Sequence, residues 1–321
     1  MLIVRTLFFD LFRIPTPSME KSLMVGDYLF VSKLHYGTRT PMTFGIPFTS
    51  IYLKGVQIPF FRFPGFTEIK RGDSVVFNWP ADNVSAVDRR AHYIKRIMGL
   101  PGETLEVRDK IVYIDGEAQA MKPGMQQSWT VYKTNPKAQL SPSALEDLGV
   151  TEIVQQPGSS VVLIVATEAA VDVIRSWSWV SRVEPAIATQ TERYDELLFP
   201  PNHGYTPDNY GPVSIPAEGE TIELTDETWP FVHTVITRYE HHSAERTGPD
   251  TFLIDGLPAS SYTFEQNYYF AMGDNRDNSE DSRFWGYVPF DHVVGKALLV
   301  YFSWDKDAKL PRFNRIFSLI R

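Results

Sequence analysis

One serine sits in a stretch built to hold it still. The run RIPTPSMEKSL (13–23) brackets Thr16 with Pro15 and Pro17 and then presents Ser18. Proline fixes φ and restricts the residue before it, so Ser18 leaves a stiffened segment. An extended linker leaving a membrane segment would read the same way in isolation. A lysine supplies the second group. In AHYIKRIMGLPGE (91–103), a strand over Tyr93–Met98 puts Tyr93, Lys95 and Ile97 on one face. Lysines are rarely buried. Lys95 either snorkels at a strand edge or is desolvated, which lowers its pKa and makes the neutral amine a general base. A neutral lysine can activate a serine hydroxyl with no histidine.

The densest polar stretch is GDNRDNSEDSRFWGYVP (273–289). Asp277, Ser279 and Asp281 have the opening spacing of a calcium loop. Ser282 stands where such a loop needs glycine, Val288 stands where it needs glutamate, and Arg276 and Arg283 would oppose a cation. A hydrogen-bonded turn network that supports a site fits better, with carboxylates satisfying local N–H groups and arginines pairing with them. His233, His241 and His242 are expected to be solvated loop residues, since adjacent histidines do not converge from one helical turn. No metal and no cofactor is expected.

Composition sets wider bounds. The 321 residues allow one large or two ordinary domains. Hydrophobic content of 43% with 13% aromatics suits a folded protein, and 31 basic against 39 acidic residues give no global field for nucleic acid. With no cysteine, disulfides, thiolate catalysis and cysteine-ligated zinc are excluded.

Strands are expected to position these groups. GDYLFVSKL (26–34) and GDSVVFNW (72–79) each start with Gly-Asp and run into β-formers. The stretch 92–117 reads as three strands with turns at Leu100-Pro101-Gly102 and Asp115-Gly116, and KALLVYFSW (296–304) as another. Helical patterning is clearest in SALEDLG (143–149) and ATEAAVDVIRSW (166–177). The passage 102–117 is echoed by 219–226 and 251–258, which is read as shared hairpin chemistry rather than a repeat. Residues 44–66 hold seven aromatics, either as core strands or as an apolar edge dipping into lipid. The start MLIVRTLFFDLF is too short and too charged to span a bilayer, which takes about 20 apolar residues. It reads as the end of a spanning helix, a short interfacial helix, or a buried one.

The stretches IPTPSMEKSLMVGDYLFVSK, GDSVVFNWP, YIKRIMGLPGETLEV and AMGDNRDNSEDSRFWGYVP, in that order, resemble the bacterial type I signal peptidases, membrane-bound Ser-Lys endopeptidases. The resemblance covers roughly the first 116 and last 60 residues. It implies a mostly-β fold of coiled antiparallel sheets with an inserted α+β domain. The expected division is 1–13 as the end of an anchor or an interfacial segment, 14–117 and 251–312 as the catalytic domain, 118–250 as the insertion, and 313–321 as a tail. It implies Ser18 as nucleophile and Lys95 as general base. Thr16 and the Ser18 N–H would form the oxyanion hole, Ser279 would orient the lysine amine, and Asp281 with Arg283 would support it. Met19, Tyr93 and Ile94 would wall the substrate pocket. The implied partners are preprotein signal peptides and the lipid bilayer, at the outer side of the bacterial cytoplasmic membrane. Pro17 departs from the glycine often found before the nucleophile, and Lys21-Ser22 from a Pro-Thr pair. The family carries spanning helices ahead of the nucleophile, so a truncated chain or an earlier start is expected. Two alternatives are a non-catalytic binding protein on the same scaffold and a self-cleaving Ser-Lys peptidase. Both Ser18 and Lys95 are kept, which argues against the first. The second would call for an upstream DNA-binding domain, for which the sequence has no pattern.

Overall fold

The structure, a computed structural model, describes residues 7–45, 52–138 and 141–320. The parts of the N-terminal and aromatic runs at 1–6 and 46–51 lie outside the described residues.

Two short sequences of Gly-Asp open strands for the same physical reason. Gly26 and Gly72 sit at φ +95° and +88°, a region that favours glycine. The aspartate after each then fixes the turn from inside. Asp27 is fully buried and takes Arg315 at 2.5 Å and the Ser303 hydroxyl at 2.6 Å. Asp73 accepts from the Tyr36 hydroxyl at 2.7 Å and pairs with Lys296 at 2.6 Å. The strands that follow, Asp27–Ser32 and Ser74–Asn78, belong to one nine-stranded antiparallel sheet. Its main path runs Phe9–Arg13, Asp27–Ser32, Val293–Asp305, Ser74–Asn78, His92–Gly99, Tyr268–Met272 and Val288–Pro289.

The central strand Ser74–Asn78 is buried throughout, as expected where both faces are covered. Val75 and Phe77 enter one core with Ile97, Tyr269, Trp285 and Val293. Val76 enters the other, with Ile14, Met19, Leu23, Leu29 and Val300. Strands and turns fall where the sequence places them, including Thr104–Arg108 and Ile111–Ile114.

The helix expected at the N-terminus does not extend over Phe9–Arg13. Phe9–Arg13 is a strand paired in register with Asp27–Ser32. The Phe9 ring stacks on Phe30 at 4.9 Å, and Asp10 pairs with Lys33 at 3.4 Å. The sheet supplies the hydrogen bonds that a short helix would otherwise make alone. No helix among the described residues is long and apolar enough to cross a membrane.

Within 118–250 the chain does two different things. Residues 126–185 build a separate four-stranded antiparallel sheet, Glu152–Gln155, Val161–Thr167, Gln126–Lys133, Val180–Pro185, with a core of its own around Trp129, Val131, Ile164 and Ile174. The helices Pro142–Asp147 and Glu168–Arg175 cover it. The second buries Ala170, Val171 and Ile174 on one stripe, and the Thr167 hydroxyl caps it by accepting from the Ala170 N–H. Strand Tyr210–Ser214 instead pairs back onto Thr104–Arg108. It joins the largest core, which also holds Leu105, Tyr239, Phe252, Phe270 and Tyr287. The echoing passages both form hairpins: Asp115-Gly116 and Asp255-Gly256 carry φ of 50° and 83°, and 49° and 77°. The GETIE segment pairs elsewhere, with Ser261–Thr263.

Candidate active site

Pro17 opens a single 3-10 turn, Pro17–Met19, as proline does at a first helical position where its missing N–H is not needed. Met19 drives the turn into the core and is 1% exposed. The Glu20 N–H donates to the Pro17 carbonyl at 2.8 Å and the Leu23 N–H to the Met19 carbonyl at 2.7 Å. From the other side, the Asn275 N–H donates to the Ser18 carbonyl at 3.1 Å and its side-chain amide to the Pro17 carbonyl at 3.3 Å. Ser18 is therefore fixed by its backbone while its hydroxyl stays at the surface of a cleft of about 330 Å³.

Lys95 reaches that hydroxyl from the strand His92–Gly99, with Nζ 2.5 Å from Oγ. The side chain is 3% exposed, and its Nζ lies 5.7 Å from the Tyr93 ring centroid. Burial pushes its pKa down to about 8, against the pull of Asp281, Glu280 and Asp274. Those carboxylates are already engaged or at the rim. Asp281 accepts two bonds from Arg283, both 2.9 Å, in a fully buried fork, and another from the Gly273 N–H at 3.0 Å. Glu280 is exposed.

Asp274 and Arg96 form a second buried fork, at 2.8 and 2.6 Å, with Arg96 also donating to the Gly72 carbonyl at 2.7 Å. Both side chains are 0% exposed. This pair was not anticipated from the sequence, although Arg96 follows Lys95 and Asp274 opens the polar loop. It ties the lysine strand to the loop that holds Ser18. Asn275 was missed as well, since an asparagine in a turn-rich loop gives no signal for such a contact. Gly273 has no room for a side chain: a Cβ there would lie 2.6 Å from the Ser18 carbonyl oxygen and 2.2 Å from the Ser279 hydroxyl.

The remaining expected residues gather here with differing contacts. Thr16 lines the cleft, is exposed and extended, and makes no capping bond to the turn it precedes. The Ser18 N–H lies in the first turn, where helical N–H groups lack internal partners. Ser279 packs against Gly273, but its buried hydroxyl has no hydrogen-bond partner among the described residues, the Lys95 amine included. Tyr93 and Ile94 both line the cleft although they face different cores. Tyr93 is held by the Trp79 ring, stacked at 5.5 Å. Ile14, Pro15, Pro17, His92, Asn278 and Glu280 complete the lining. No cluster of three or more metal-ligating side chains is found among the described residues. His242 pairs with Asp255 and Glu265 at the surface.

The sequence matches the family described as signal peptidase, peptidase S26, over residues 1–158 and 215–304. The chain belongs to that family. It is a serine endopeptidase, and residues 159–214, within the separate sheet and the segment after it, fall outside the match. Similar proteins named signal peptidase I occur across bacteria. That of Buchnera aphidicola from Acyrthosiphon pisum is 26% identical over 328 residues, covering 99% of this chain and 77% of that protein. That of Haemophilus influenzae is 26% identical over 347 residues, covering 99% and 72%. That of Aquifex aeolicus is 24% identical over 327 residues, covering 100% and 86%.

Proposed function

We propose that this S26 peptidase is membrane-associated and cuts N-terminal signal peptides from exported preproteins through a Ser-Lys mechanism. The short contact between the Lys95 amine and the Ser18 hydroxyl carries the reading. At a pKa of about 8 the amine is largely neutral in mildly alkaline medium. It takes the hydroxyl proton as Ser18 attacks the scissile carbonyl. The Thr16 hydroxyl and the Ser18 N–H donate to the developing oxyanion. The ammonium returns its proton to the leaving amine, and a water activated by the same lysine then hydrolyses the acyl-enzyme. Asp281 and Arg283 hold the loop behind the amine, and Ser279 orients it once substrate excludes water.

The substrate is an extended segment with small residues at the first and third positions before the cut. The strand His92–Gly99 pairs with Tyr268–Met272 only from Arg96 to Gly99. Over His92–Lys95 it has a strand neighbour on one side among the described residues, so a peptide can add as the next strand. Met19, Tyr93 and Ile94 leave limited volume in the cleft for side chains.

The bilayer lies against the aromatic stretch. Phe61, Phe63 and Phe66 are 59%, 50% and 74% exposed, which a membrane interface would cover. The catalytic face is placed on the outer side of the bacterial cytoplasmic membrane. Residues 14–117 and 251–312 form the catalytic domain and 118–250 the insertion, of which 126–185 make the separate sheet while Tyr210–Ser214 packs back onto Thr104–Arg108. The test is cleavage of a preprotein by the wild type and by Ser18→Ala. Cleavage at a single site by the wild type alone is expected, and equal cleavage by both would overturn the reading.

A further inference from the structure

Arg276 is a buried cation whose side chain has no oxygen partner among the described residues. It is 6% exposed, yet among the described residues its guanidinium meets only thioethers: Met272 at 3.8 Å, Met98 at 3.7 Å and Met125 at 3.4 Å, with Nε unpartnered. Thioether sulfur is a weak acceptor, and a buried charge is costly unless paired. The neighbouring carboxylates attract it without bonding to it: Asp281 is forked to Arg283 and Asp274 to Arg96, as described above.

Arg276 lines a cavity of about 480 Å³ between the hairpin 104–114 and the separate sheet with its helix Glu168–Arg175. The walls are largely apolar, with Met98, Val112, Met121, Trp129 and Pro185. The Gln127 side-chain oxygen, also in the lining, is buried and unpartnered. The other cations of the lining are committed, Lys110 to Asp208 at 2.8 Å and to Asp277, Arg175 to Asp172 at 2.8 Å. Asp109 and Glu168 sit exposed at the rim, where water screens them.

We propose that this cavity binds an organic carboxylate with an apolar body, its carboxylate seated on Arg276 and its body against the methionine and tryptophan walls. A guanidinium matches a carboxylate in geometry and charge, and the walls suit a chain or ring rather than a bare inorganic anion. The position of Arg276 is fixed by its own peptide group. Its N–H donates to the Gln126 carbonyl at 3.0 Å, and its carbonyl accepts from Arg283 at 2.6 Å. The site lies one residue from Asn275, whose N–H holds the Ser18 carbonyl.

Isothermal titration calorimetry on the full chain tests this with octanoate, with octanol as the uncharged control, and with acetyl-Phe-Leu as free acid and as amide. Saturable binding of octanoate identifies a fatty-acid-like ligand, and binding of the dipeptide acid alone identifies a peptide C-terminus. Octanol and the amide should not bind. Arg276→Met, which adds a fourth thioether side chain to the cluster, should weaken the acid about tenfold or more. Ala120→Trp narrows the cavity from an exposed lining position and keeps the Arg276 side chain; it should do the same, so the test stands even if Arg276→Met fails to fold. No saturable binding of either acid, or binding unchanged in Ala120→Trp, overturns the proposal.

Discussion

Lys95 Nζ stands 2.5 Å from Ser18 Oγ, with the lysine 3% exposed and its pKa pushed from 10.5 down to about 8 by burial. This placement has a cost in stability. Between about pH 8 and pH 10.5 the unfolded chain holds a proton that the folded chain has released, so stability rises with pH across that window. Below it the folded protein carries a buried ammonium at an expense on the order of 3 kcal/mol. Lys95→Met should therefore be inactive but more stable than wild type at pH 6, by up to about 3 kcal/mol, with the gain shrinking toward pH 10. Urea unfolding at both pH values measures it. Equal stability at pH 6 would mean that the lysine is not desolvated.

Thr16 lines the cleft with a hydroxyl free of capping duty. If it donates to the oxyanion, Thr16→Val lowers kcat by about 10²–10³ with little change in KM, and Thr16→Ser keeps most of the activity. Steady-state kinetics on a soluble peptide decide this. A Thr16→Val enzyme within about twofold of wild type would leave Thr16 as a turn residue only.

Gly273 is wedged between the Ser18 carbonyl and the Ser279 side chain. Gly273→Ala has to push one of them away. Because a misplacement of about 1 Å can cost about 10²-fold in rate, kcat should fall by at least tenfold, roughly. Circular dichroism should still report a folded protein. An alanine enzyme of full activity would show that the Ser18 turn tolerates displacement.

Phe60, Phe61 and Phe63 are 37%, 59% and 50% exposed, so changing all three to serine should leave the fold intact. Binding to anionic vesicles should weaken while cleavage of a short soluble peptide persists. A triple variant that is folded and binds vesicles as wild type does would move the membrane surface elsewhere.

Much of this site could be read from the chain because its chemistry needs particular residue types. A proline-stiffened serine, a lysine on an apolar strand and a polar loop rich in Asp and Arg each carry a local signal, and the strands fall at the β-branched runs. What could not be read is long-range. Arg96 and Asp274 are 178 residues apart, and nothing local marks them as partners. The apolar run at Phe9–Arg13 reads as helix by itself, and it is the neighbouring strand Asp27–Ser32, satisfying its backbone, that makes it a strand. The helix Trp229–Thr234, continued as a wider turn over Val235–Tyr239, was hidden by β-branched residues that lower helix propensity. Ser279 was expected to orient the lysine amine, and among the described residues its buried hydroxyl makes no hydrogen bond.

The most direct test of the central claim is the titration of Lys95 itself. With ¹³Cε-labelled lysine, the resonance lost in Lys95→Arg is followed by NMR from pH 6 to pH 11. A buried base poised for Ser18 titrates with a midpoint of about 8, and the rise of kcat/KM with pH tracks it. A midpoint near 10.4, the ordinary lysine value, would contradict a neutral Lys95 acting as the base.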